Sequence, residues 1–383
     1  MMSHFTHLIL PTFLVSACVC LLILATKSLH MKFAHRRADT SAVQAAHHTP
    51  TPRIGGLAIL ATLPLIALLL PPDAAPRFGL LVVSLFPVAL AGFAEDLGWH
   101  VRPRNRLLAA IFSSLIAITL LGIWISHVDI PGFDTLLAWA PLAIAFTAFA
   151  SAGICNGFNL IDGVNGLSSS VGLVAAGSMA MIAHQAGNVP LTEINLMLIG
   201  ALLGFFVFNF PLGAIFLGDA GAYGLGHILS WLAISLMIRV PEVTPWAVLL
   251  IFFWPIADTF FAIYRRRIAG RPTDQPDRLH FHQLVMRALE ITLTGRKLRR
   301  LTNPMSTVVM MPLFTAPAIA GVLLWDKPGW ASVTLFAFGC LFVATYGIGL
   351  TLAQSKRLRP DCFRMRAQML AAEWTTKAAP RHN

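Results

Sequence analysis

Charge is what this chain has least of. Only 12% of its 383 residues are Asp, Glu, Lys or Arg, while 56% are hydrophobic and the mean hydropathy is +0.71. Soluble globular domains carry a charged share of about 25%, so a run of such domains is excluded. Cysteine is also scarce. The five present (Cys18, Cys20, Cys155, Cys340 and Cys362) lie in or next to apolar runs without zinc or redox spacing, which argues against a disulfide framework and a metal cluster. Lys and Arg are missing ahead of the first apolar run, residues 8–26, and crowd behind it as Lys27, Lys32, Arg36 and Arg37. That is the reverse of a signal peptide's charge order, so the run is expected to stay as an anchor with the N-terminus outside. No internal repeat is evident.

What the chain does have is a succession of apolar runs, each about as long as a helix needs to cross a bilayer. They predict an all-α, polytopic membrane protein of about eleven spans near 8–26, 55–71, 78–94, 107–125, 138–154, 167–184, 193–209, 220–238, 245–264, 305–324 and 331–352. The domain would cover residues 1–352, followed by a basic cytoplasmic tail over 353–383. With the N-terminus outside, 25 of the 28 Lys and Arg fall in the inside loops and tail, leaving Arg77, Arg239 and Lys327. This is the positive-inside bias of a bacterial inner (plasma) membrane protein. The net charge of +11 is therefore topological before it is a footprint for nucleic acid, and none is expected as a partner. A basic inner face would still attract anionic lipid or nucleotide.

The polar chemistry concentrates in the inside loops. Pro52-Arg-Ile-Gly-Gly56 is a turn whose glycines permit close backbone approach. Glu95-Asp96 sets two carboxylates at the mouth of a span, where they repel unless a proton or cation is shared; the plain alternative is a solvated turn capping a helix. Arg102, Arg104 and Arg106 follow. In Asn156-Gly-Phe-Asn-Leu-Ile-Asp-Gly-Val-Asn-Gly166, residues Asn159, Asp162 and Asn165 share one face if the backbone is helical. Its three glycines favour an unwound segment beside a wet cavity instead. Phe216-Leu-Gly-Asp219 carries one acid, suited to a helix N-cap or to a metal. In Asp277-Arg-Leu-His-Phe-His282, His280 and His282 point the same way if the segment is extended; with Arg278 nearby they read as phosphate donors. Asp258, inside the ninth span, has no obvious partner in the sequence.

These five motifs, in this order, resemble those of the polyprenyl-phosphate N-acetylhexosamine-1-phosphate transferases, the glycosyltransferase 4 family. The likeness runs from about residue 39 to 285. It implies that Asn159 and Asp219 bind magnesium or manganese on a nucleotide's pyrophosphate, and that Asn165 stands near the uracil. His280, His282 and Arg278 would meet the phosphates, Arg104 and Arg106 the lipid phosphate. Glu95 or Asp96 would occupy the place of a proposed base, with Asp162 and Asp219 also in the catalytic set. Departures include Glu-Asp for the usual Asp-Asp, Asn165 for an Asp, and the lack of consecutive histidines. The resemblance implies transfer of a sugar-1-phosphate from a UDP-sugar to polyprenyl (undecaprenyl) phosphate, with release of UMP, as the first step of a cell-surface polysaccharide. The alternatives are a secondary transporter, a phospho-N-acetylmuramoyl-pentapeptide transferase-type enzyme and a catalytically dead lipid-binding relative. UDP-sugar, polyprenyl phosphate and membrane lipids are the expected partners, and a homodimer is compatible with the chain.

Overall fold

The computed structural model describes residues 2–28, 51–270, 279–294 and 299–354. Asp39, His47, His48, Arg271, Asp277, Arg278 and the tail beyond residue 354 lie outside the described residues. Among those described, the chain is helical, with α1 at Met2–Ala25, α2 at Gly56–Leu60, α3 at Leu63–Leu69, α4 at Ala75–Ser84, α5 at Phe86–Asp96 and α6 at Pro103–Leu121. There follow α7 (Phe133–Leu137), α8 (Ala140–Ile161), α9 (Leu167–Gln185), α10 (Val189–Asn209) and α11 (Gly218–Arg239). The last are α12 (Pro245–Ile251), α13 (Phe253–Ile268), α14 (Phe281–Leu289), α15 (Arg299–Leu323) and α16 (Pro328–Gln354).

Eight of these helices are long and apolar enough to cross a membrane, ten if each of two bent pairs is one span. The second expected span, 55–71, is instead two short helices. Pro64 enters the first turn of α3, and the Thr62 hydroxyl bonds the Ile59 carbonyl at 2.6 Å, so the apolar run breaks between Leu60 and Leu63. Residues 56 to 69 would rise only about 21 Å even as one helix, short of a hydrocarbon core of about 30 Å. The expected span at 245–264 is also not straight. It bends by 82° at Phe252, just ahead of Pro255, while α4 and α5 meet at 44° with Pro87 in the first turn of α5.

The central post is α11. Within its apolar window 89% of residues are buried, against 11% in α16, whose Trp330, Val333, Phe336 and Ile348 are exposed as a lipid-facing helix requires. Neighbours can crowd α11 because its first half is rich in small residues: Gly221 lies so close to Gly56 of α2 that a Cβ on either would come within 2.5 Å of the other's Cα. Some of the polar groups inside this core pair across helices, where no bilayer water could satisfy them. Ser84 meets His227 at 2.9 Å and Ser151 meets Ser230 at 2.8 Å, tying α4 and α8 to α11.

Candidate active site

The site forms where α5 ends, α6 begins, α8 ends and α11 begins. Asp219 is the point of convergence. It sits in the first turn of α11, and its carboxylate accepts the Asn159 amide at 3.1 Å, pairs with the Arg106 guanidinium, and has Arg53 at 3.8 Å. Arg106 also lies 5.8 Å over the ring of Tyr223, whose hydroxyl donates to Asn156 at 3.3 Å. A guanidinium held between a carboxylate and a ring face has little freedom left.

Asp219 does not cap its own helix; that role falls to Asp96, 123 residues earlier. The Asp96 carboxylate accepts the backbone N–H groups of Asp219 at 2.8 Å and Ala220 at 2.9 Å, so both of its oxygens are engaged in satisfying amides that α11 leaves without helical partners. Glu95 is placed differently: its Oε2 is buried and has no hydrogen-bond partner among the described residues. The Pro52–Gly56 turn locks on from the other side. Phe216 N–H donates to Pro52 O at 2.9 Å, Gly55 N–H to Phe216 O at 2.9 Å, and Gly56 N–H to Leu217 O at 2.7 Å. This pairing delivers Arg53 to Asp219.

The loop at 156–166 is mostly helix. Continuous α8 carries Asn159 through Gly157 to Ile161, and only residues 162–166 form a turn before α9. Asn159, Asp162 and Asn165 therefore do not line one helical face. Asn159 turns to Asp219. Asn165 is buried: its side-chain amide donates to Pro211 O at 2.9 Å, its backbone N–H to Asn303 Oδ1 at 2.7 Å, and its carbonyl accepts from Thr307 at 2.7 Å. Asp162, half-buried in the turn, has its carboxyl raised from 3.8 to about 7 by burial, with the Arg53 charge opposing the shift. Because the folded group holds a proton that the unfolded one has lost between those two values, stability falls as pH rises across that window. The share of stability that Asp162 contributes is thus expected to be lost between about pH 4 and pH 7, while His282, lowered to about 4, acts in the opposite sense over part of that window. The melting temperature of the native protein relative to Asp162→Asn should therefore fall as pH rises across the window, and a difference that does not change with pH in a differential scanning fluorimetry series would contradict the assignment.

The histidine motif reaches the same turn from α14. His280 is the N-terminal flanking residue in extended backbone, and Phe281 already opens the helix, so the motif is not an extended strand. The two rings nevertheless stack 5.9 Å apart and within 7° of parallel. His282 is buried against Gly163, where an added Cβ would meet its Nε2 at 2.1 Å. Burial lowers His282 to about 4, against the pull of Asp258, so it is a neutral ring near pH 7. Asp258 also acquires the partner the sequence withheld: its Oδ2 meets His280 Nδ1 at 2.9 Å and its Oδ1 accepts the Phe281 N–H at 3.1 Å.

Arg104 is exposed two residues before Arg106. Arg53, Tyr223, Asn156 and Asn303 escaped sequence reasoning. Arg53 could have been found as the one charge in the Pro-Gly turn, whereas nothing local marks Tyr223 or Asn303. Asp219 and Asn159 together supply hard oxygen donors, the amide offering its oxygen if the side chain is turned over. Among the described residues no group of three His, Cys, Asp or Glu could hold a metal. That donor set suits a cation taking one or two protein ligands and completing its shell with phosphate and water.

Residues 78–237 match the family described as glycosyl transferase family 4. The chain is 26% identical over 339 residues to the probable undecaprenyl-phosphate N-acetylglucosaminyl 1-phosphate transferase of Bacillus subtilis, covering 88% of this chain and 90% of that one. It is 26% identical over 268 residues to a decaprenyl-phosphate N-acetylglucosaminephosphotransferase of Mycobacterium tuberculosis, covering 63% and 66% respectively. It is 23% identical over 300 residues to the undecaprenyl-phosphate alpha-N-acetylglucosaminyl 1-phosphate transferase of Yersinia pestis, covering 77% and 80%. The matched segment runs from α4 through α11 and contains Glu95, Asp96, Arg106, Asn159 and Asp219, so the similarity to glycosyl transferase family 4 and to these polyprenyl-phosphate N-acetylglucosamine-1-phosphate transferases falls on the residues that form the site.

Proposed function

We propose that this protein transfers an N-acetylhexosamine-1-phosphate from a UDP-sugar to a polyprenyl phosphate, releasing UMP at the inner face of a bacterial plasma membrane. An oxygen of the lipid phosphate forms a bond to the β-phosphorus of the nucleotide-sugar. The bond from that phosphorus to the oxygen bridging the α-phosphate breaks, and UMP leaves with the electron pair. The product, a polyprenyl-diphosphate-sugar, is suited to initiate a surface polysaccharide. The observation that carries this reading is the convergence of Asp219, Asn159, Arg53 and Arg106 at one end of an apolar bundle.

Phosphoryl transfer asks the protein mainly for positioning and charge neutralisation. Asp219 and Asn159 would hold a magnesium ion, which when bound supplies charge for the pyrophosphate and its leaving group. Arg106, steadied by Tyr223, and Arg53 counter phosphate charge from two sides. Asp96 keeps the start of α11 in place through its two backbone contacts, which fixes where Asp219 stands. Glu95, with a buried oxygen that has no hydrogen-bond partner among the described residues, is the carboxylate of that pair left to meet a substrate, by positioning the lipid phosphate or taking its proton. His282, as a neutral ring, offers a hydrogen bond and no charge.

The sugar is identified by incubating membranes that contain the protein with undecaprenyl phosphate and a panel of radiolabelled UDP-sugars. One donor is expected to give a labelled, organic-extractable lipid with UMP in equal amount. No labelled lipid from any N-acetylhexosamine donor would sink the proposal.

A further inference from the structure

The bent span contains a carboxylate that the resemblance leaves without a role. Asp258 is 2% exposed, on α13, one turn past the Pro255 that follows the 82° bend. Through that bend, α13 leaves the line of α12 and lies against the end of α8. Gly157 of α8 is so near Pro255 that a Cβ there would sit 3.1 Å from it. Both oxygens of Asp258 are engaged with the histidine motif, Oδ2 with the His280 ring and Oδ1 with the Phe281 amide. The segment is also pinned by its neighbours. The Phe281 ring packs edge-on to Trp254 at 4.8 Å and beside Phe342 at 5.5 Å, and the Tyr346 hydroxyl donates to Leu279 O at 2.8 Å.

We propose that Asp258 is a positioning residue that keeps the His280 proton on Nδ1, so that the ring presents Nε2 to the phosphates of the bound nucleotide-sugar. An ionised carboxylate can only accept a hydrogen bond, and at 2.9 Å the ring nitrogen facing it must be the one that carries hydrogen. A neutral ring then has its lone pair on Nε2; a doubly protonated ring donates from Nε2, with its charge balanced by the buried acid. The parallel His282 ring, unpartnered at both nitrogens among the described residues and seated on Gly163, brings this pair to the turn that holds Asp162. Two adjacent histidines thus differ in kind, one backed by a carboxylate and one kept neutral by burial.

What His280 does with its Nε2 rests on the transferase reading; which nitrogen carries the proton does not. Nitrogen-15 NMR of histidine-labelled protein in micelles, with the His280 signals identified by their loss in His280→Gln, reads the protonated nitrogen directly. Nδ1–H is expected in the native protein, and a move to Nε2–H is expected in Asp258→Asn, whose amide can donate to Nδ1. A native ring without hydrogen on Nδ1 would overturn the proposal even if the variant failed to fold. In the UMP-release assay, Asp258→Asn is expected to lower kcat by on the order of 10- to 100-fold with KM nearly unchanged. His280→Ala should be similarly slow, and the double variant no slower than His280→Ala alone. Losses that multiply, or full activity in Asp258→Asn, would assign Asp258 a merely structural part. A native protein that releases no UMP would remove the transferase reading while leaving the spectrum to judge the proton.

Discussion

Asp219→Asn is expected to cut UMP release by on the order of a thousandfold or more, with the protein still folded and monodisperse in detergent. The expectation follows from what the substitution keeps and what it removes. Asn has the same shape and the same backbone N–H, so the Asp96 bonds to Asp219 and Ala220 survive, and with them the start of α11. What disappears is the one negative charge at which Asn159, Arg53 and Arg106 meet. A cation would lose its anionic ligand, and Arg106, largely buried, would lose its counter-charge. Losing one partner of a buried ion pair costs about 3–5 kcal/mol when nothing replaces it, so a fall in melting temperature should accompany the kinetic loss. Tyr223 and any phosphate that takes the carboxylate's place would moderate that fall. Size-exclusion chromatography, a melting curve and the UMP assay on one preparation separate the two effects. An Asp219→Asn protein that turns over at the native rate would remove the site from the position argued for it.

Gly56→Ala and Gly218→Ala are expected to be as damaging through a different physical route, loss of the folded bundle. An added Cβ at Gly56 would lie 2.1 Å from the Cα of Gly221, backbone against backbone, where no side chain can rotate aside. At Gly218 it would lie 1.7 Å from the Arg53 carbonyl oxygen, and φ there is +76°, in the left-handed region that a side chain disfavours. Overpacking alone costs about 1–3 kcal/mol and a strained φ about 1–3 kcal/mol more, a large part of a typical stability margin of about 5–15 kcal/mol. Both variants should give a low yield of monodisperse protein with depressed melting temperatures. Gly153→Ala is the control, since nothing lies within 4 Å of its added Cβ and it sits inside α8. There the change should be neutral or stabilising by up to about 1 kcal/mol, the helix preference of Ala over Gly. A Gly56→Ala protein as stable as Gly153→Ala would show that α2 and α11 do not pack as described.

Much of the architecture could be read from local pattern, because a bilayer tests each segment separately for length and apolarity. The runs near 107–125, 138–154, 167–184, 193–209, 220–238, 305–324 and 331–352 each correspond to one long helix, shifted by a few residues. The run at 55–71 failed as a span because apolar composition does not report where a proline and a backbonded threonine interrupt the helix. The run at 245–264 also looked uniform, and its 82° bend is where Asp258 gains its meaning. Of the two readings open at 159, 162 and 165, the shared helical face does not form: α8 runs on through Gly157 but ends at Ile161, and the turn that follows sends Asn165 toward Pro211 and Asn303 instead of Asp219.

What the chain's own order of residues determined is the membrane class, the position of most spans and the polar motifs, since scarcity of charge, run length and Gly-flanked acids are properties of neighbouring residues. Tertiary structure alone decided which acid does which task. Asp96 became the clasp of α11 from 123 residues away, Asp219 the meeting point of two arginines, and Asp258 the partner of His280, because a carboxylate's role depends on the hydrogen-bond donors and cations that folding brings beside it. Those donors lie on other helices, and no local window of sequence contains them.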